Sequence, residues 1–187
     1  MKKILLVAGI VLLSLTANAQ EKSKGLQGVW WAEVQASVSD AKKADNTVIG
    51  IVGTFISPDV TVGLGIGNIS STVGGLKSNT LLIEPLVRKY WNVKGNLFFF
   101  GQAALPITAT TNGINDNKAS SIALAVAPGF DYIINKWLTI DASVTLLSVS
   151  STSATTSGVK TTNLGFNVNS VNAGTLGGVN LGVKFLF

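Results

Sequence analysis

Beyond its first two dozen residues the chain alternates. Trp30, Ala32, Val34, Ala36 and Val38 share one parity, and Trp31, Glu33, Gln35, Ser37 and Ser39 share the other. Successive side chains of a strand point to opposite faces, so residues 28–39 are predicted to form a strand. The same period recurs over 60–70, where Val60, Val62, Leu64 and Ile66 oppose Thr61, Gly63, Gly65 and Gly67. Over 80–91, Leu81, Ile83, Pro85 and Val87 oppose Leu82, Glu84, Leu86, Arg88 and Tyr90. Over 119–133, Ile122, Leu124, Val126, Pro128, Phe130 and Tyr132 oppose Ser121, Ala123, Ala125, Ala127, Gly129 and Asp131. Over 137–150, Leu138, Ile140, Ala142, Val144 and Leu146 oppose Thr139, Asp141, Ser143 and Thr145. Residues 47–56 are apolar on both faces, so their register stays open, and 97–108 form a fifth strand. Pro85, Pro106 and Pro128 fall inside these strands and remove ladder donors, which predicts bulges or bends.

The eighth strand runs to Phe187. Val179, Leu181, Val183, Phe185 and Phe187 take one face, and Asn180, Gly182 and Lys184 the other. This is either an amphipathic edge strand of a soluble sheet or the closing strand of a membrane barrel. Chain ends are usually exposed and mobile, which makes a long apolar face there unusual for a soluble domain. The residues Asn180, Gly182, Phe185 and Phe187 resemble the C-terminal signal read by the outer-membrane barrel assembly machinery.

Short connections at Ser57-Pro58-Asp59, Asn92–Asn96 and Ile134–Lys136 alternate with polar stretches expected to be longer loops at Ser71–Asn79, Ala109–Lys118 and from Ser151 onward. Outer-membrane barrels place short turns in the periplasm and long loops outside, and an even strand count brings both ends to the same side. Asn163–Val171 reads as an extension of the last hairpin beyond the membrane, because a ninth strand would break that parity. Trp30, Trp91, Phe130, Tyr132, Trp137, Phe185 and Phe187 fall near the short-turn end, which suits an interfacial girdle; a cluster of core aromatics is the plainer alternative.

The first residues change the picture. Met1-Lys2-Lys3, an apolar run over 4–15 and Ala17-Asn18-Ala19 predict a secretory signal peptide over 1–19, with the barrel over 20–187. Removing Lys2 and Lys3 from 14 basic residues leaves 12 against 9 acidic ones, a formal charge of +3. The remaining lysines are scattered, so no nucleic-acid partner is expected. Mean hydropathy is +0.44 with 12% charged residues, yet no apolar run past the leader is long enough for a transmembrane helix. An apolar chain of short alternating segments instead suits an all-β, closed antiparallel up-and-down transmembrane barrel of about eight strands, in which every backbone group pairs between strands.

There is no Cys and no His. That removes disulfides, thiolate chemistry, Ser-His-acid triads and His-bearing metal sites. Gly63-Leu64-Gly65-Ile66-Gly67 mimics a nucleotide loop, but it lies within a strand with no helix start. No catalytic, cofactor or metal residue is assigned. The inward faces carry Glu33, Glu84, Arg88, Asp131, Asp141 and Lys184. Strands one and eight become neighbours on closure, so Glu33 and Lys184 can pair. The expectation is an interior ion-pair network that plugs the lumen; a charged lining around a narrow water path is the alternative. Small inward residues on strands three and six leave room for a pocket, and so for a small apolar ligand, in the upper half. The Ser/Thr-dense stretch 148–162 reads as a solvated surface loop, or an adhesive one.

Several strand ends resemble the outer-membrane β-barrel domain family common in Bacteroidota. Glu84-Pro85-Leu86-Val87-Arg88-Lys89-Tyr90 resembles its "PF-x-RYY" strand, and Leu97-Phe98-Phe99-Phe100-Gly101-Gln102-Ala103 its "FFFGEA" strand. Ala127-Pro128-Gly129-Phe130-Asp131-Tyr132 resembles "APG-x-x-Y", and the residues from Leu181 to Phe187 resemble "LG-x-x-x-x-F". Leu86, Lys89 and Gln102 stand where the family carries Phe, Tyr and Glu. The resemblance implies a fold and a place, the outer membrane; membrane lipid and the barrel assembly machinery are the expected partners, and a monomer the expected working unit. It implies no activity. A soluble periplasmic barrel binding a lipophile is the alternative function.

Overall fold

A computed structural model describes residues 26–38, 46–73, 76–112, 118–156, 159–168 and 179–187. The segment read as a signal peptide lies outside them. The described residues form eleven strand segments: β1 (Trp30–Val38), β2 (Asn46–Ser57), β3 (Val60–Val73), β4 (Leu76–Lys94), β5 (Leu97–Ala104), β6 (Ile107–Asn112), β7 (Lys118–Ile133), β8 (Leu138–Val144), β9 (Leu147–Thr156), β10 (Val159–Val168) and β11 (Val179–Leu186). All pairings are antiparallel. β1 to β5 pair in order, β5 pairs β7, β7 pairs β8, β8 pairs β11, and β11 pairs β1. That ring closes with eight strands, as the alternation predicted.

The extra segments come from interruptions. β5 and β6 are one wall strand broken at Leu105-Pro106; both parts pair β4 and β7. The lost ladder is partly bridged by Leu105 N–H donating to Pro85 O at 2.9 Å and Ala123 N–H to Pro106 O at 2.9 Å. β8 and β9 are likewise one strand. Ser143 opposes Gly129 and Leu147 opposes Val126, so four residues answer three and one is extra. This bulge sits opposite Pro128, where the ladder lacks a donor.

Where they are described, the polar stretches expected to be loops are strand; residues 74–75, 113–117 and 157–158 lie outside the described residues. β3 and β4 stay in register to Val73 opposite Leu76, which takes in most of Ser71–Asn79. β6 continues to Asn112, and β9 to Thr156. Thr suits a pleated ladder and keeps its hydroxyl in water, so hydroxyl-rich hairpins prolong the wall where sequence polarity alone suggests a loop. Val159–Val168 pairs along its length with β9. It is therefore the second arm of that hairpin and not a ninth wall strand.

The open register of β2 resolves by pairing. Val52 opposes Ala32 and Leu64 on the outward face, and Ile51 opposes Glu33 and Gly65 on the inward face. Both faces are apolar because Ile49, Ile51 and Phe55 belong to an interior cluster with Trp31, Leu82, Leu86, Tyr90, Phe100 and Ala104. Leu26, Val29, Phe98 and Leu186 pack against that cluster at the short-turn end. The expected space beside strand three is taken. A Cβ at Gly63 would lie 3.0 Å from Trp31, and one at Gly67 would lie 2.9 Å from Ile49. These glycines make room for large side chains from β1 and β2.

Candidate functional site: the interior ion-pair network

The network is assembled by register. Glu33 on β1 sits directly opposite Lys184 on β11 and Ile51 on β2. Asp141 on β8 sits opposite Gly182 on β11 and Asp131 on β7. Arg88 on β4 has the inward parity and faces Gln102 on β5. Five strands thus aim charged groups at one level of the lumen.

Arg88 is the hub and is fully buried. Its Nη1 lies 2.7 Å from Glu33 Oε2 and its Nη2 lies 3.0 Å from Glu33 Oε1, a bidentate fork. Nη1 also reaches Asp141 Oδ2 at 3.2 Å, and Nε donates to Gln102 Oε1. The guanidinium lies over the Phe100 ring at 4.9 Å and the Trp31 ring at 5.6 Å. A delocalised cation accepts that stacking while its edge serves carboxylates.

Lys184 is the second hub. Its Nζ donates to Asp131 Oδ2 and, at 3.2 Å, to Tyr90 Oη. Asp141 Oδ2 is 3.3 Å away and Glu33 Oε2 is 3.8 Å away. The Glu33–Lys184 juxtaposition expected from closure is thus present in register, while the shortest contacts differ: Arg88 holds Glu33, and Lys184 holds Asp131.

Glycine and aromatic residues shape the enclosure. A Cβ at Gly182 would come 2.6 Å from Asp141 Oδ1 and 2.9 Å from Glu33 Oε1, so the missing side chain is where two carboxylates sit. Gly53 and Gly63 bed the Trp31 ring. Trp31 Nε1 donates to Thr61 Oγ1 at 2.6 Å, and Thr61 passes a bond to Thr54 O at 2.7 Å. The indole is therefore anchored as well as packed.

Of the six charged residues expected inside, Glu33, Arg88, Asp131, Asp141 and Lys184 come together. Glu84 does not: it stands higher on β4, half-buried, opposite Gly65. Among the described residues no ion pair reaches it. Trp31, Tyr90 and Gln102 belong to the enclosure although charge alone does not reveal them. Their parity does: Tyr90 is in phase with Arg88, Trp31 with Glu33, and Gln102 with Phe100. Asn180 and Gly182 face inward and Phe185 and Phe187 outward, as the alternation requires.

Above this level the lining changes. Thr80, Thr110, Ser121, Ser148, Ser150 and Thr152 share the inward parity and are half-buried. Thr80 and Thr110 share a hydrogen bond of 2.7 Å, and Thr152 donates to Ser121 at 3.2 Å. The outward face is mostly apolar and widely exposed, as at Trp30, Val34, Ile66, Leu124, Phe130 and Leu181. Near the short turns its aromatics touch side by side: Trp91 with Phe99 at 5.6 Å, Phe99 with Phe130 at 5.6 Å, and Trp137 with Phe185 at 6.0 Å. Phe99, missed in the sequence, bridges two of the expected girdle residues.

No protein-family model matches the chain, and no curated protein matches it by sequence. Solved structures do. The N-terminal β-barrel domain of Pseudomonas aeruginosa OprF superposes with a TM-score of 0.53 at 17% identity, covering 86% of this chain and 98% of that one. Neisserial surface protein A gives a TM-score of 0.54 at 15% identity, covering 85% and 95%. The chain shares the closed eight-stranded antiparallel barrel fold of these proteins.

Proposed function

We propose that this chain is an integral outer-membrane barrel without enzymatic activity, whose interior network plugs the lumen. The observation that carries the reading is its inverted polarity. Trp30, Val34, Ile66, Phe130 and Leu181 are each at least half exposed on the outside, while Arg88, Glu33 and Lys184 are at most 2% exposed inside. Water would penalise the first set and favour the second; hydrocarbon around a closed ladder reverses that preference. A soluble carrier of lipophiles needs the opposite arrangement. The aromatic belt, the leader-like start and the family-like strand ends agree with export across the inner membrane and insertion from the periplasm. The role is then structural or interactive, with any small solute confined to the upper half.

The side-chain geometry supports the plug. Five charged side chains, two aromatic rings and Gln102 fill the level between Gly182 and Phe100 with mutual contacts. Outer-membrane fractionation and heat-modifiable gel mobility test the first part; a chain soluble without detergent defeats it. In planar bilayers the wild type should pass little current, and Glu33→Ala or Arg88→Ala should raise it. Large, steady wild-type channels would refute the plug.

A further inference from the structure

The network is one positive charge short. Glu33, Asp131 and Asp141 are three carboxylates; Arg88 and Lys184 are two cations. The shortfall is localised. Both hubs approach Asp141 through Oδ2, and Lys184 approaches Asp131 through Oδ2. Asp131 Oδ1 and Asp141 Oδ1 are buried and, among the described residues, have no partner. Two hydroxyls share that state, Thr139 Oγ1 and Ser143 Oγ. All four residues are at least nine-tenths buried.

These atoms are neighbours. Asp131 and Asp141 are direct cross-strand partners, a placement that sets Cβ atoms about 5 Å apart. Thr139 and Ser143 flank Asp141 two residues away on the same inward face of β8. Gly182 opposite Asp141 leaves the place where Asp141 Oδ1 and Glu33 Oε1 sit, and Gly129 opposite Ser143 is covered by the Phe100 ring. A buried ionised carboxylate oxygen without a partner is costly, so a native site of this kind holds something.

We propose that the Asp131–Asp141 pair binds one small monovalent cation, sodium or potassium, admitted from the upper lumen past Glu84. Carboxylate and hydroxyl oxygens are hard ligands suited to a hard ion, and the shortfall is a single charge. Two carboxylate oxygens with two neutral hydroxyls, at a shortfall of one charge, suit a monovalent ion better than a divalent one. The approach is from above, because Leu26, Val29, Phe98 and Leu186 occupy the short-turn end. Glu84, which no ion pair reaches among the described residues, supplies negative potential along that approach.

The test uses purified, refolded protein in detergent at fixed pH and ionic strength, with sodium or potassium chloride against N-methylglucamine chloride. The thermal midpoint should rise saturably by a few degrees with either alkali ion and not with the bulky cation. Asp131→Asn should raise the half-saturating concentration about tenfold or more; Asp141→Asn serves if that variant does not fold. Thallium-soaked crystals should show an anomalous peak beside both aspartates. Equal midpoints in all three salts overturn the proposal. So does a midpoint that follows pH but not the cation, which would assign the missing charge to a proton shared among Glu33, Asp131 and Asp141 beside Arg88, Lys184, Tyr90 and Glu84. The proposal rests on the interior network of the barrel reading, yet it fails independently: fractionation and bilayer currents are unmoved by the salt result.

Discussion

The two halves of the barrel interior obey one alternation and are filled in opposite ways. Near the short turns, inward positions hold Trp31, Phe55, Tyr90, Phe100, Arg88 and Lys184, all buried. Toward the long hairpins they hold Thr80, Thr110, Ser121, Ser148 and Ser150, all half-buried. Eight strands fix a narrow radius that large side chains just fill. Where the residues are large, charges must find partners within the wall. Where they are small and hydroxylated, water can enter and no partner is needed. The same backbone thus yields a dense anchor at one end and a less buried, hydroxyl-lined vestibule at the other, and the choice lies in side-chain volume.

The largest effect should come from emptying the anchor's hub. Arg88→Ala strands the Glu33 carboxylate and Gln102 and halves the cation supply of Asp141. Breaking a buried pair in this way costs about 3–5 kcal/mol. Thr110→Val, in the upper half, should stay within about 0.5 kcal/mol, as for substitutions away from packed features. Urea unfolding followed by tryptophan emission in one detergent reads both. Comparable losses would erase the distinction between the halves.

A finer comparison uses two glycines, buried Gly182 in the anchor and exposed Gly165 on the β10 arm of the upper hairpin. Gly182→Ala puts a methyl group 2.6 Å from Asp141 Oδ1 and 2.9 Å from Glu33 Oε1. Glu33 Oε1 is held by Arg88, and the Asp141 carboxylate is fixed through its other oxygen by Arg88 and Lys184. Neither carboxylate has much freedom to retreat, so overpacking should cost about 1–3 kcal/mol. Gly165→Ala meets the Ser150 hydroxyl at 2.9 Å, with the next backbone atom at 4.0 Å. A rotating hydroxyl yields, and replacing a strand glycine can return about 0.5 kcal/mol of backbone entropy. Opposite signs for the two variants are expected; a penalty at Gly165 equal to that at Gly182 would show that the vestibule is as tightly packed as the anchor.

Most of this division was legible in the alternation, because parity and strand order are enough to align Glu33 with Lys184 and to turn Arg88 inward. Strand ends were less legible. Ser71–Asn79 reads as a loop because it is polar, yet backbone pairing continues through Ser71 opposite Ser78; polarity reports water around the side chains, not the end of a ladder. Large neutral residues were also missed. Trp31 has the inward parity, but its seat over Gly53 and Gly63 appears only in the pairing, and the glycines of β3 look like vacant space until the ring occupies it. Such three-strand contacts depend on register between segments distant in sequence, which no single strand's pattern contains. Glu84 shows the converse: its parity is right, but its height, two positions above Leu86, separates it from the network.

The smallest effect lies at the rim of the anchor. In the turn between β2 and β3, Lys89 Nζ and Ser57 Oγ, the latter at 3.0 Å, donate to the Asp59 carboxylate. Partial burial alone would raise that carboxyl, but the two hydrogen bonds and the Lys89 charge outweigh it and leave it below its ordinary value. The folded chain therefore binds this proton less readily than the unfolded chain. The resulting stability is present above the ordinary carboxylate range and fades as pH falls through it. Both side chains are about a third or more exposed, 33% and 42%, so the pair should contribute no more than about 1 kcal/mol. Asp59→Asn should remove that increment at neutral pH and almost nothing near pH 3, and about 1 M salt should shrink the neutral-pH difference, since exposed charges are screened. The network behind it is walled off by Trp31, Phe55 and Tyr90, so its contribution should survive the same salt. If salt weakens wild type and Asp59→Asn equally and strongly, the buried charges are open to solvent from the short-turn end, and the contrast between the halves fails where it should be sharpest.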